Sequence, residues 1–178
     1  QMVNPKIKGI DNFNYNTFEK KDPQHGEIEI LIDNTSINFK DYLKVTNKIV
    51  RESLEGSYTE DSIGCDCAGV ITRVGTGVKN FKIGDYVIAI AKGTFQSYTI
   101  TSELLAVKCP KNLNDVGSHV VLSYITALYS LREKGNLKKD EKVLIHNATG
   151  GVGLAAINYA KMVGAKIYAT VGSMEKKD

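Results

Sequence analysis

The stretch from Glu141 to Thr170, EKVLIHNATGGVGLAAINYAKMVGAKIYAT, limits what this chain can fold into more than any other. It reads as a short apolar strand, a glycine-rich turn, a helix and a second strand. A strand as apolar as Val143, Leu144 and Ile145 suits a buried parallel position, where both faces meet apolar neighbours. Gly150, Gly151 and Gly153 fall at the turn and the first helical residues. Ala155, Ala156 and Ala160 keep the helix slim on the face that meets the sheet. Gly164 ends the helix, and residues 166–170 return as the next strand.

Glycines at a strand-to-helix turn let backbone N–H groups and the helix dipole approach a pyrophosphate. The loop Thr149, Gly150, Gly151, Val152, Gly153 is therefore a candidate dinucleotide cradle. Glycine turns also occur in folds that bind nothing, and here it is the order of strand, turn, helix and strand that favours binding. Cofactor choice follows from charge. Units that bind NAD usually end the second strand with Asp or Glu, which bonds the ribose hydroxyls and would repel a 2′-phosphate. Here Val171, Gly172 and Ser173 follow instead, then Lys176 and Lys177. Ser173, Lys176 and Lys177 can donate to a phosphate, which favours NADPH over NADH; a solvent-facing lysine pair is the competing reading. The chain stops at Asp178, before such a domain is complete. The expectation is a piece of a larger polypeptide that does not turn over substrate alone.

The N-terminal portion has a different grammar. Residues 27–33, EIEILID, alternate as a strand does, and a short helical piece is expected over Phe39–Val45. Residues 48–64 are polar and without period, a long loop. From Cys67 onward, short runs rich in Val, Ile and Tyr alternate with glycine-bearing turns, as in a small, mostly antiparallel, partly barrel-like domain. A helical turn at Asn112–Val116 and a helix at Val120–Lys134 lead into the nucleotide unit.

Composition excludes several classes. With 23 basic and 20 acidic residues and no dense basic run, nothing suggests a nucleic-acid surface. No apolar run is long enough to span a bilayer, and the N-terminal residues lack a signal-peptide core. Cys65, Cys67 and Cys109 form neither a disulfide framework nor a zinc knuckle, so a reduced, cytoplasmic protein is expected. Strand alternation would put Cys65 and Cys67 on one face. His25, His119 and His146 suggest no catalytic triad; His146 is expected to pack at the strand end.

INFKDYLKV at 37–45, IGCDCAGVITRVGTGVKNFKIGDYVIAI at 63–90, GTFQSYTIT at 93–101, LSYITALYSL at 122–131 and HNATGGVGLAAINYAKMVGAKIYATVGSMEKK at 146–177 together resemble the medium-chain dehydrogenase/reductase superfamily. The resemblance is to its zinc-free branch, with quinone oxidoreductases and the enoyl reductase domains of polyketide synthases and animal-type fatty acid synthases. It implies a mixed fold: a GroES-like, mostly antiparallel β domain over 1–125, lacking its C-terminal return, then the first β-α-β part of a Rossmann domain over 126–178. It also implies hydride transfer from NADPH to the β-carbon of an α,β-unsaturated acyl thioester, carried on the phosphopantetheine of an acyl carrier protein. Neighbouring synthase domains and a homodimer in the full protein are implied with it.

Carried onto this chain, Asn38 and Thr126 match residues lining the nicotinamide pocket, and Lys176 matches a lysine held to help protonate the α-carbon. Water is a credible substitute for Lys176, and Asn38 also suits a bland role, capping a turn. The wall implied by Phe39, Tyr42 and the helix of the 120s suits an acyl chain. Zinc-dependent relatives carry Gly-His-Glu where this chain has Gly64, Cys65 and Asp66, so no metal is expected. Ile49 falls near the place where some bacterial polyketide reductases carry a tyrosine. A free-standing quinone oxidoreductase and a non-catalytic NADPH-binding or scaffold domain are the alternatives.

Overall fold

A computed structural model describes residues 2–3, 14–60, 62–113 and 117–176. The chain divides into two compact units, Gln1–Val121 and Leu122–Asp178. In the first, a two-stranded antiparallel pair joins β1 (Met2–Val3) to β2 (Asn14–Tyr15). The main sheet contains β3 (Glu27–Thr35), β4 (Asp66–Val74), β5 (Tyr86–Ile90), β6 (Tyr98–Ser102) and β7 (Ala106–Lys108). It is antiparallel throughout, in the order β6-β3-β4-β5-β7. Ile28, Ile30, Cys67, Ile71, Val87 and Ala89 form its core, with Ala91 and Ala106 beside them. Gly69 permits a close approach of β4 to β3, because a Cβ there would stand 2.0 Å from the Leu31 carbonyl oxygen.

Strand alternation assigns Glu29 to the polar face, yet the residue is only 1% exposed. Its neighbours explain how a carboxylate is tolerated there. Lys20 Nζ lies 3.0 Å from Oε1 and 3.5 Å above the Tyr98 ring centroid, and the Thr72 hydroxyl donates at 2.6 Å. The Arg73 guanidinium pairs with both Glu29 and Asp22. Burial pushes the Glu29 carboxyl up, but hydrogen bonds from Arg73, Thr72 and Lys20 outweigh it and hold the group at about 2.

The short helix α1 (Phe39–Val45) occupies the expected residues, and the loop after it contains one tight helical turn at Arg51–Ser53. Lys111–Leu113 forms another such turn, while residues 114–116 of the expected Asn112–Val116 turn lie outside the described residues. Helix α2 (Gly117–Leu128) begins earlier than the apolar period indicates and continues as a wider π-helical turn, Tyr129–Lys134. Its early start is fixed tertiarily: the Ser118 N–H donates to Asn34 Oδ1 of β3 at 3.3 Å.

In the second unit, β8 (Lys142–Ile145), α3 (Gly151–Val163) and β9 (Lys166–Ala169) form a β-α-β unit with parallel strands, Lys142 opposite Lys166 and Ile145 opposite Ala169. Gly164 stops α3 in the left-handed region at φ 81° and returns its N–H to the Ala160 and Lys161 carbonyls. Ala155 and Ala156 pack with Ala127, Ile145 and Ala148. The expectation of a strand buried on both faces needs correction. Ile145 is buried but Leu144 is 58% exposed, because α3 covers one face of β8 only.

Replacing Arg73 leaves a buried carboxylate with fewer donors, so Arg73→Ala is expected to lower stability at pH 7. A carboxyl depressed to about 2 in the fold contributes stability above its unfolded value of 4.5 and loses it as pH falls from there towards 2. The gap between the two proteins, measured by denaturant unfolding, therefore narrows across that window.

Candidate functional site

Strand β8 delivers the chain into a tight turn in which Asn147 takes a left-handed conformation at φ 50°. Gly150 N–H closes the turn on the Asn147 carbonyl at 3.0 Å, and α3 opens with Leu154 N–H bonded to the Gly150 carbonyl at 2.8 Å. The N–H groups of Gly151, Val152 and Gly153 thus head the helix without an intrahelical partner, as the first turn of any helix requires. The glycines are needed for room. A Cβ on Gly153 would lie 2.5 Å from the Asn147 carbonyl oxygen, and one on Gly151 would lie 2.9 Å from the Ser123 hydroxyl of α2. Thr149 and Val152 are exposed at the rim. The result is a short loop of free donors at the positive end of a helix, suited to an anionic group.

The loop after β9 is tied to this turn. Ala148 N–H donates to the Thr170 carbonyl at 3.0 Å, while the Thr170 hydroxyl lies 3.1 Å from His146 Nδ1 and accepts from Asn147 N–H at 3.3 Å. His146 is thus exposed and bonded sideways across the strand ends rather than packed. Because β8 and β9 are parallel, the glycine turn and residues 170–176 emerge at the same carboxyl edge, where open α/β sheets bind ligands. Ser173 and Lys176 lie here, both exposed, on a tight turn whose Lys176 N–H reaches the Ser173 carbonyl at 3.3 Å. Lys177 lies outside the described residues. Thr126 is exposed on α2, and its hydroxyl donates to the Leu122 carbonyl at 2.7 Å, which leaves the oxygen as an acceptor.

Asn38 belongs to the first unit and heads α1. Its backbone N–H donates to Asp41 Oδ2 at 2.9 Å, and its side-chain oxygen faces the Asp41 N–H in a capping-box arrangement. Asp41 also accepts the Gly64 N–H at 2.9 Å. The amide nitrogen of Asn38 turns inward, 3.1 Å from Ser36 Oγ, 3.2 and 3.4 Å from the two Asp66 oxygens, and 3.5 Å from Cys65 Sγ. Asp66 is 1% exposed and also accepts the Ser36 hydroxyl at 2.5 Å. Burial, then the charges of Asp66 and Asp41, push the Cys65 thiol up to about 12, so it stays neutral. Cys65 and Cys67 do not share an environment: Cys65 precedes β4 and faces Asn38, whereas Cys67 packs in the sheet core. Among the described residues no cluster of His, Cys, Asp and Glu is built to hold a metal ion. Outside this polar nest, Ile37 and Phe39 are 82% and 74% exposed, with Phe39 stacked on Tyr42 at 5.9 Å.

Asp66 and Ser36 are the residues that motif reasoning passes over. The available signal was a lone acid inside the apolar run Cys65–Val70, because a charge among such neighbours requires a partner.

Residues 24–111 match the family of alcohol dehydrogenase GroES-like domains. The chain is 40% identical over 162 residues to a probable polyketide synthase of Dictyostelium discoideum, covering 87% of this chain and 5% of that protein. Among solved structures it is similar to the CurK enoyl reductase, with a TM-score of 0.91 and 32% identity over 99% of this chain and 55% of that one. It is also similar to a quinone oxidoreductase of Escherichia coli solved with NADPH, with a TM-score of 0.82 and 30% identity over 98% of this chain and 53% of that one. The chain therefore spans about half the length of these reductase structures and a small part of the synthase.

The glycine turn makes a direct test of the local packing possible. Gly153→Ala forces a methyl group against backbone atoms and is expected to destabilise the second unit by about 1–3 kcal/mol. Gly172→Ala, where a Cβ meets nothing within 4 Å, should leave thermal unfolding unchanged.

Proposed function

Because the chain belongs to the zinc-free branch of the medium-chain dehydrogenase/reductase superfamily, we propose that it is part of an NADPH-dependent enoyl reductase domain of a multifunctional polyketide or fatty acid synthase. The observation that carries this reading is the pairing of an open glycine cradle at the head of α3 with a following loop that has no acid at the strand end. The residues fit the cofactor. Thr149, Gly150, Gly151, Val152 and Gly153 would hold the pyrophosphate, where any larger side chain at Gly151 or Gly153 fills the space. Ser173, with Lys177 further along the loop, would meet the 2′-phosphate. Asn38 and Thr126 would each offer an acceptor oxygen to the nicotinamide end.

Bound there, NADPH supplies the hydride that reduces the β-carbon of an α,β-unsaturated acyl thioester. The chain's own residues orient and shield. The exposed Ile37, Phe39 and Tyr42 surface suits an apolar acyl chain. Lys176 stands as the candidate for delivering a proton to the α-carbon, with water as the substitute. The acyl group would arrive on the phosphopantetheine of an acyl carrier protein, in a homodimeric synthase with its neighbouring domains, in the cytoplasm. Residues 1–125 would serve substrate and residues 126–178 would begin the cofactor domain. Among the described residues no helix is long and apolar enough to cross a membrane.

The test is NADPH oxidation by the full-length protein with a crotonyl thioester and, in parallel, a simple quinone. Thioester-dependent oxidation that fails with NADH is expected. Turnover with the quinone alone would move the protein to the free-standing oxidoreductases, and NADPH binding without turnover would leave a binding domain. Lys176→Ala should lower kcat by about 100-fold with the KM for NADPH little changed. A raised KM at unchanged kcat would instead make Lys176 a phosphate ligand.

A further inference from the structure

We propose that Asp66 is a positioning residue that locks the Asn38 amide with its oxygen outward, so that Asn38 can meet a ligand only as a hydrogen-bond acceptor. The inference rests on the reading of Asn38 as a nicotinamide-site residue, but its geometry stands without it. Asp66 Oδ1 already accepts the Ser36 hydroxyl, and the amide atom facing both Asp66 oxygens is the nitrogen, the one donor of that side chain. Both Asp66 oxygens lie within 3.4 Å of that nitrogen, and Ser36 Oγ and Cys65 Sγ complete an inward ring of acceptors. The amide oxygen faces the other way, towards the Asp41 N–H at the head of α1, a donor it shares with the Asn38 backbone carbonyl at 2.9 Å, so its second lone pair is what remains for a ligand. Turning this amide over is costly, since it would set its oxygen against the buried oxygens of Asp66 and Ser36. Asn38 is therefore suited to receive an N–H or O–H of a bound carboxamide or sugar, and unsuited to donate to a developing negative charge on substrate.

A charge swap tests this. In Asn38→Asp two carboxylates face each other, and NADPH affinity and kcat/KM in the full-length protein should fall about tenfold or more. Adding Asp66→Asn restores a donor facing an acceptor and keeps the outward oxygen, so the double variant should recover most of the loss. A purely structural role predicts that recovery follows thermal stability alone; a positioning role predicts recovery of NADPH affinity in excess of it. A double variant as impaired as Asn38→Asp, or an Asn38→Asp protein that binds NADPH normally, would overturn the proposal. A second measurement needs neither folding of the variants nor turnover: the Asn38 side-chain N–H protons, observed by NMR in cofactor-free wild-type protein, should exchange with solvent far more slowly than those of exposed Asn47. Equal exchange would refute the inward amide. Protected protons together with no thioester or quinone turnover would sink the proposed reaction while leaving the positioning geometry standing.

Discussion

The end of β3, the head of α1 and the start of β4 meet at the Asp66 side chain and carbonyl. The carbonyl accepts the Thr35 hydroxyl at the end of β3, and the carboxylate gathers Ser36 and the Asn38 amide at the head of α1. Thr35 in turn lies 2.7 Å from the Thr94 hydroxyl in the loop before β6. A buried carboxylate surrounded this way is costly to disturb, because each lost donor leaves charge uncompensated in a medium that screens it poorly. The same constraint that ties β3, β4 and α1 together therefore also sets how Asn38 is presented.

The second unit uses a different strategy. Its cradle holds its shape through glycines too close to neighbouring atoms to accept a side chain, and through Thr170, whose carbonyl and hydroxyl bond across to residues 146–148. Donors supplied by a helix start need no charged side chain, so the site attracts an anion without placing a buried cation in the protein. In the proposed reading, selectivity among anions would fall to the exposed loop after β9, where side chains can change without touching the packing beneath.

Much of this was legible in residue order. Helix α1 fell on its expected residues because Asn38 and Asp41 carry local capping chemistry, and the glycine turn, α3 and β9 followed from spacing and from Gly164. What was not legible required strand register or distant chain. The start of α2 at Gly117 depends on Asn34, far away in sequence. Glu29 reads as a solvent-facing position until β4 brings Thr72 and Arg73 against it. The Asp66 network escaped because a missing zinc ligand draws attention to Cys65 rather than to the acid beside it. The exposure of Leu144 was not foreseeable from its apolar neighbours, since a β-α-β unit covers only one side of its own strands.

The sheet order carries a consequence for synthesis on the ribosome. Strand β3 lies between β4 and β6, and its residues Glu27–Leu31 pair with Ser102–Tyr98. At translation rates of about 5–20 residues per second, β3 waits roughly 3–13 s after it emerges before its β6 partner exists. During that interval one edge of a strand containing Ile28, Ile30 and Leu31 is open to pairing with other chains. The charges of Glu27 and Glu29 lie along that edge, where like-charged neighbours disfavour adding a second copy of the same strand.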